Sequence, residues 1–379
     1  MIRIPMRVAA AAFAVAAAAD AAAFGIAPIA EEQEGPPSGL VRRIQAAVAR
    51  AEADTAAVFG RLFQSSVHEE ITHAAYGCTD SPSDCDNAVA AGTGEGAPRS
   101  VIQGVQWNDN PPFKLQSGWP LLGPACFKNL IQLPNAFPEC WGAIFGVGAQ
   151  SSALARRTTV AYGPRSLILL RSHFGDLQFL HAMAARDGEP AHETRDNILA
   201  WASFAWQVGR GDITPDTVLS SPRAGTAARL FPGAGMDVTS LFTLGSEPHS
   251  ARRVQDMAFG SLLHVVEDSF SAAHVEREPP VEVDGGWAPG CIDEFHSYGH
   301  QDHNAHANAD THAALSAGHR KDAVVGVLRQ LKAARRTLQW GDAQPIVAAA
   351  FRICPGHEDQ QAGAGRDYAL PQLNPQTPD

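Results

Sequence analysis

Residues 251–276 read Ala-Arg-Arg-Val-Gln-Asp-Met-Ala-Phe-Gly-Ser-Leu-Leu-His264-Val-Val-Glu-Asp268-Ser-Phe-Ser-Ala-Ala-His274-Val-Glu. This is the longest clean helix candidate in the chain, free of proline, with apolar residues at helical spacing. His264 and Asp268 stand four apart, so on a helix both side chains project from one face. His274 lies about 80° around the same axis, close enough to serve a second site a few ångströms away. Imidazole and carboxylate are ligands suited to zinc. The same spacing also fits a polar helix stripe turned to water.

Outward from that helix the pattern stays helical. Leu40 to Phe63 carries an apolar stripe (Val41, Ile44, Val48, Thr55, Phe59), and a short helix is expected over His68 to Tyr76. Ser166 to Ala185 is apolar and predicted helical from Asp176. Glu193 to Val208 is predicted as a helix capped by Thr194, with Ile198, Trp201, Ala205 and Val208 facing inward. His306 to Leu338 and Ala343 to Ile353 are predicted helical, and 278–292 reads as a Pro/Gly loop. Few segments alternate with period two, and no repeat of 20–50 residues is visible. The fold class expected is mostly α: a single multi-helix domain over 40–354 with long loops, followed by a disordered tail over 355–379.

The 379 residues carry 29 basic and 40 acidic side chains, a net charge of −11. Sequence-independent binding to a nucleic-acid backbone needs basic surface, so no nucleic-acid partner is expected. Residues 1–23 read as a signal peptide: Arg3 and Arg7 lead an apolar run too short to anchor in a bilayer, and Ala21-Ala22-Ala23 offers a cleavage pattern. A flexible leader follows over 24–39. The expected location is secreted or periplasmic, with no transmembrane anchor. In that setting the six cysteines predict disulfides, with Cys78–Cys85, Cys126–Cys140 and Cys291–Cys354 the pairing expected among 15 possibilities.

Four further stretches bear on chemistry. Val67-His68-Glu69-Glu70-Ile71-Thr72-His73 tempts a zinc-protease reading, but its histidines are five apart, about 140° on a helix, and cannot share one metal as that motif requires. His68 stays a candidate ligand; His73 is assigned to the surface. Trp107-Asn108-Asp109-Asn110-Pro111-Pro112 can hold the Asp109 carboxylate rigid, or form an Asx-type turn. Arg171-Ser172-His173-Phe174-Gly175-Asp176 offers His173, while His181 is assigned to a satisfied core position. In His296-Ser-Tyr-Gly-His300-Gln-Asp-His303-Asn-Ala-His306-Ala-Asn-Ala-Asp310, only His306 and Asp310 have the His-x-x-x-Asp spacing. Trp107, Phe113 and Phe174 could line a pocket or belong to the core.

Taken in order, His68, Asp109, Ser172-His173-Phe174, His264-x3-Asp268-x5-His274 and His306-x3-Asp310 resemble the zinc-dependent phospholipase C and single-strand nuclease superfamily. The stretches around His68, Asp109 and His173 look closest to secreted bacterial zinc phospholipases C. The resemblance spans residues 65–312. It implies a zinc phospholipase C-like fold and two or three zinc ions. His173, His264 and Asp268 would hold the first ion, with Asp109 beside it as ligand or base. His274, His306 and Asp310 would hold the second, and His68 with a bridging Asp268 the third. In that superfamily the third is completed by an N-terminal amine near a leading tryptophan. Here the first tryptophan is Trp107, and the expected new terminus, Phe24, lies far ahead of His68. The third set therefore takes other ligands, needs further trimming, or is absent. The implied activity is that of a secreted zinc metallo-phospholipase C. It would hydrolyse a glycerophospholipid such as phosphatidylcholine, at a membrane or micelle surface, to diacylglycerol and a phosphorylated head group by zinc-activated water. The competing expectations are a zinc-dependent single-strand nuclease or 3′-nucleotidase, and a non-catalytic exported zinc-binding protein.

Overall fold

A computed structural model describes residues 66–113, 162–164, 166–244 and 250–370. The expected signal peptide, leader, helix over 40–63 and Cys126–Cys140 pair lie outside these residues. Within them the chain is mostly helical. In chain order the elements that build the core and the site are α1 (Val67–Tyr76), α2 (Pro82–Ala91), α3 (Arg99–Trp107), α4 (Ile168–Phe174), α5 (Ala191–Arg210), α6 (Ala251–Asp268), α7 (His303–Ala309), α8 (Arg320–Ala334) and α9 (Trp340–Ala350).

Helix α6 is the hub. Ser250 caps it, its Oγ accepting a hydrogen bond from the Arg253 N–H at 3.2 Å. Everything from Met257 to Asp268 is buried, with α3, α5 and α1 packed around it. The α3–α6 crossing depends on two glycines. A Cβ on Gly104 would sit 2.6 Å from the Met257 backbone, and one on Gly260 would sit 2.7 Å from the Val105 nitrogen. With nothing but hydrogen at both positions the two backbones touch, which brings the end of α3 beside the His264 turn of α6.

An aromatic cluster fills the other side. Trp107 stacks on Trp201 of α5 at 5.7 Å, Phe242 leans on Trp107 at 5.0 Å, and the Trp107 indole N–H donates to the Leu241 carbonyl at 3.2 Å. Trp107 is therefore a core residue. Ile198, Trp201, Ala205 and Val208 all face inward, as the periodicity predicts.

Several boundaries differ from the sequence reading. The 251–276 helix ends at Asp268, after which the chain turns so that His274 enters from a separate segment. No helix starts at Asp176: α4 stops at Phe174, and Gln178–His181 forms one 3₁₀ turn. Gly175 lies against the Tyr162 backbone, where a Cβ would collide, so the chain there follows tertiary contact rather than helical period. Thr194 is not the cap of α5. Pro190 occupies that position, and the Thr194 hydroxyl instead donates to Glu189 Oε1 at 2.8 Å. The region 278–292 is not loop throughout. β1 (Val275–Arg277) pairs antiparallel with β4 (Ile292–Phe295), and β2 (Val281–Val283) with β3 (Gly286–Ala288). The helix read over 306–338 is interrupted: between α7 and α8 lie a short helix, His312–Ser316, and a 3₁₀ turn that ends at His319, which takes φ 61°.

Residues 77–100 contain α2, tied by the expected Cys78–Cys85 disulfide, and Cys291–Cys354 is also formed. The disordered tail expected from 355 is corrected as far as Leu370. Ala362 N–H donates to the Glu189 carbonyl at 2.9 Å, Ser297 N–H to the Gly363 carbonyl at 2.7 Å, and Leu370 N–H to the His300 carbonyl at 2.9 Å. This strap docks mainly through its backbone, so its polar composition conceals it. Among the described residues no helix is long and apolar enough to cross a membrane.

Candidate metal centre

Each candidate ligand comes from a different part of the helical frame. His68 sits on α1, Asp109 just past the end of α3, His173 on α4, His181 at the end of the 3₁₀ turn, and His264 and Asp268 on α6. His274 follows the turn after α6, His306 is on α7, and Asp310 ends that helix. All nine are buried. Asn108 ties three of these segments together. Its side-chain N–H₂ donates to the Leu180 carbonyl at 2.7 Å, and its Oδ1 accepts from the Ser261 hydroxyl at 2.6 Å. The residue before Asp109 thus fixes the residue before His181 and the turn of α6 before His264. Ala182, directly after His181, takes a left-handed φ of 53°, a strained conformation for a residue with a Cβ.

The nine side chains gather into overlapping sets. His181, His264 and Asp268 form one: His181 Nδ1 is 3.2 Å from His264 Nε2 and 2.9 Å from Asp268 Oδ2, and His264 Nε2 is 2.9 Å from the same oxygen. His274, His306 and Asp310 form another, with the two Nε2 atoms 3.2 Å apart and Asp310 Oδ2 at 3.1 and 3.8 Å from them. His68 Nε2 stands 3.4 Å from Asp268 Oδ1 and 3.8 Å from Asp109 Oδ2, in a set with His264. Asp109, His173 and His181 make a fourth grouping. Four ligands about 2.0–2.1 Å from a tetrahedral zinc lie about 3.3 Å from one another, and the observed separations bracket that value.

Hydrogen bonds behind the ligands fix which nitrogen faces inward. The His274 Nδ1–H donates to the His181 carbonyl at 2.7 Å. The His306 Nδ1–H donates to Gln301 Oε1 at 2.5 Å, and the orientation of that amide is set because its nitrogen donates to the Ala273 and Ala364 carbonyls at 2.6 and 2.8 Å. Both rings thus spend Nδ1 outward, and their Nε2 atoms face each other and a carboxylate oxygen. That convergence is repulsive unless a cation lies between them. The His68 Nδ1–H donates to Glu267 Oε2 at 2.6 Å, and Glu267 Oε1 accepts from the Thr72 hydroxyl at 2.6 Å. The His173 Nδ1–H faces the Leu169 carbonyl at 2.9 Å. Carboxylate or carbonyl behind an imidazole is the usual support of a metal-ligating histidine.

Several inward atoms have no hydrogen-bond partner: both Asp109 oxygens, Asp268 Oδ1, Asp310 Oδ2 and His181 Nε2. Leaving such atoms unpaired costs about 1–3 kcal/mol each. Divalent cations would satisfy them together, so the residues present fit metal ions.

The electrostatics agree at five of these groups, His173, His181, His264, His274 and Asp268, and run the other way at His68 and Asp109. Burial, the largest influence, lowers the pKa of His173, His181 and His274 and takes His264 down to about 4. These rings are neutral and able to ligate at neutral pH. Asp268 is buried, which opposes ionisation, but His264, His274 and His181 hold it well below the ordinary carboxylate range. Burial and the nearby carboxylates of Asp268, Glu69 and Asp310 push Asp109 up, against the opposing charge of His68. His68 itself is drawn down by burial, but Asp268 and Glu267 more than reverse this.

His181 of the first set and His274 and His306 of the second line one small cleft, together with His173, Met183 and Tyr298.

Neither a family model, nor a curated protein, nor a solved structure corresponds to this chain. The site stands on its own geometry, which differs from expectation at three histidines. His181, assigned to the core, is the ring that joins His264 and Asp268. His173, expected in that position, lies one ring further out, 4.7 Å from His181 between ring centres. The signal for His181 was Gly175, whose helix-stopping role takes the following residues off the apolar stripe. His73, assigned to the surface, is fully buried, and its Nδ1 accepts from the Ala97 N–H at 3.1 Å. Of the other histidines in the 296–310 tract, His296 is buried against the Ala273 carbonyl and His300 pairs with Asp187.

Proposed function

We propose that this chain is a zinc-dependent phosphodiester hydrolase, and specifically an exported phospholipase C acting on glycerophospholipids such as phosphatidylcholine. The observation that carries the reading is the pair of buried His/His/Asp sets, His181–His264–Asp268 and His274–His306–Asp310, with His181, His274 and His306 lining one cleft. His68 with Asp109 and Asp268 would hold a third ion. When bound, zinc supplies Lewis acidity, bringing the pKa of water toward neutrality and neutralising phosphate oxygens as negative charge builds.

The chain's own residues do the rest. Asp109, whose two oxygens lack hydrogen-bond partners, accepts the proton of the attacking water at one oxygen and orients it with the other. Met183 and Tyr298 give the cleft an apolar wall that limits water around the reacting phosphorus. The −11 net charge favours a zwitterionic head group over a polyanion. Two disulfides among the described residues accord with an oxidising compartment.

The test is a paired assay of purified protein on phosphatidylcholine micelles and on single-stranded RNA, with and without chelator. The proposal expects release of phosphorylated head group that stops with chelator and returns with zinc, and no nucleotide release. Nucleotide release alone would make the protein a nuclease. A zinc-loaded protein inactive on both substrates would be a binding protein.

A further inference from the structure

The docked C-terminal strap and the second ligand set share one side chain, Gln301. It is almost completely buried and makes three hydrogen bonds at once. Its Oε1 accepts from His306 Nδ1 at 2.5 Å. Its amide nitrogen donates to the carbonyl of Ala273, the residue before His274, at 2.6 Å, and to the carbonyl of Ala364, in the strap, at 2.8 Å. One amide therefore links the ring of one ligand, the backbone beside another, and the strap.

The strap also holds the element that carries His306. Asp302 caps α7 through its side chain, which accepts from the N–H groups of Asn304 and Ala305. The Asp302 N–H in turn donates to the Tyr368 carbonyl at 2.5 Å, and Gln301 bridges to Ala369 in antiparallel fashion. The strap reaches this position through Gly365, which takes φ +79° and lies against the His296 ring, so that a Cβ there would collide with it.

We propose that Gln301 is a positioning residue for the His274–His306–Asp310 set, and that the 355–370 strap, by holding Gln301 and the start of α7, is an integral part of that set. The proposal rests on the metal reading above. Gln301 fixes His306 in the tautomer whose Nε2 is free to ligate. Without the Ala364 and Ala273 carbonyls the amide could turn over and present its NH₂ to Nδ1, which would favour the wrong tautomer. Outer hydrogen-bond partners of metal-bound histidines typically contribute 10- to 100-fold in metal affinity.

The experiment compares zinc affinities of the full chain and of three variants by competition with a chromogenic chelator, alongside visible spectra of the cobalt-substituted proteins. Gln301→Leu removes all three hydrogen bonds. It is expected to weaken one zinc of the wild-type complement by roughly 10- to 100-fold, leave the others unchanged, and alter the spectrum of one cobalt. Gly365→Val displaces the strap without touching Gln301 or a ligand, and is expected to weaken the same ion. Gln301→Glu keeps the acceptor for His306 Nδ1 but cannot donate to the Ala273 and Ala364 carbonyls, and is expected to recover only part of the loss seen in Gln301→Leu. Wild-type affinities and spectra in both Gln301→Leu and Gly365→Val would overturn the proposal. So would equal loss of every zinc, or failure of Gln301→Glu to improve on Gln301→Leu. A wild-type chain that binds no zinc would instead show that the metal reading itself is wrong.

Discussion

The nitrogen that a histidine turns toward its neighbours decides what it can do, and here that choice is made by backbone carbonyls and amides rather than by the ligands themselves. His274 and His306 both spend Nδ1 on an outer acceptor, which leaves their Nε2 atoms facing each other. The substitution that separates His181 from His173 follows from the same geometry. His181→Ala should weaken binding of one zinc by at least roughly 100-fold, because it removes a ring in contact with both His264 and Asp268. His173→Ala should do markedly less; equal effects in a chelator competition would contradict the assignment. Asp109→Asn should cut turnover by about 10²–10⁴-fold, the usual contribution of a positioned base, with at most one zinc lost. A rate within a factor of ten of wild type would remove Asp109 from the mechanism.

His296 offers a pH test outside the ligands. Burial, only partly offset by the Ala273 carbonyl, holds its pKa down at about 4, against 6.5 for a free imidazole. The folded chain keeps this ring neutral where the unfolded chain would protonate it. The stability it contributes is therefore complete above pH 6.5 and is lost as pH falls toward 4, by roughly 3–3.5 kcal/mol at most. Urea unfolding of metal-free wild type and His296→Gln at pH 7 and pH 4.5 should show the gap between them narrowing in acid. A gap that widens would mean that the ring is charged in the folded state.

At the level of elements, contact rather than period sets the ends of the ligand-bearing segments. The long apolar and polar rhythms were readable: α5 and α6 occupy the expected stretches, and the four-residue spacings of His264–Asp268 and His306–Asp310 place each pair on one face. What was not readable is where the chain bends. Gly175 ends α4 because the Tyr162 backbone lies against it, and that bend delivers His181. The strap was hidden for the opposite reason, since its contacts are mainly backbone hydrogen bonds that leave little side-chain signature. The α3–α6 crossing is legible only in hindsight, as two glycines far apart in sequence. Gly260→Ala should destabilise by about 1–3 kcal/mol or more through overpacking, seen as a drop in thermal midpoint. It should also shift Asp109 relative to His264. An unchanged midpoint would mean that the crossing is looser than described.

For the whole molecule, candidate ligands drawn from α1, the turn after α3, α4, α6 and α7 would make a metal-loaded centre a cross-brace of the fold. Cations that bind only the folded chain add stability by mass action, about 4 kcal/mol at a thousandfold excess over the dissociation constant. Chelation should therefore lower the thermal midpoint by several degrees as well as abolish hydrolysis, and added zinc should restore both.

The most direct test is an anomalous-scattering map at the zinc edge from crystals grown with zinc. The account predicts one peak among His181, His264 and Asp268 and another among His274, His306 and Asp310. A fully zinc-equilibrated crystal with no peak at either position would contradict it.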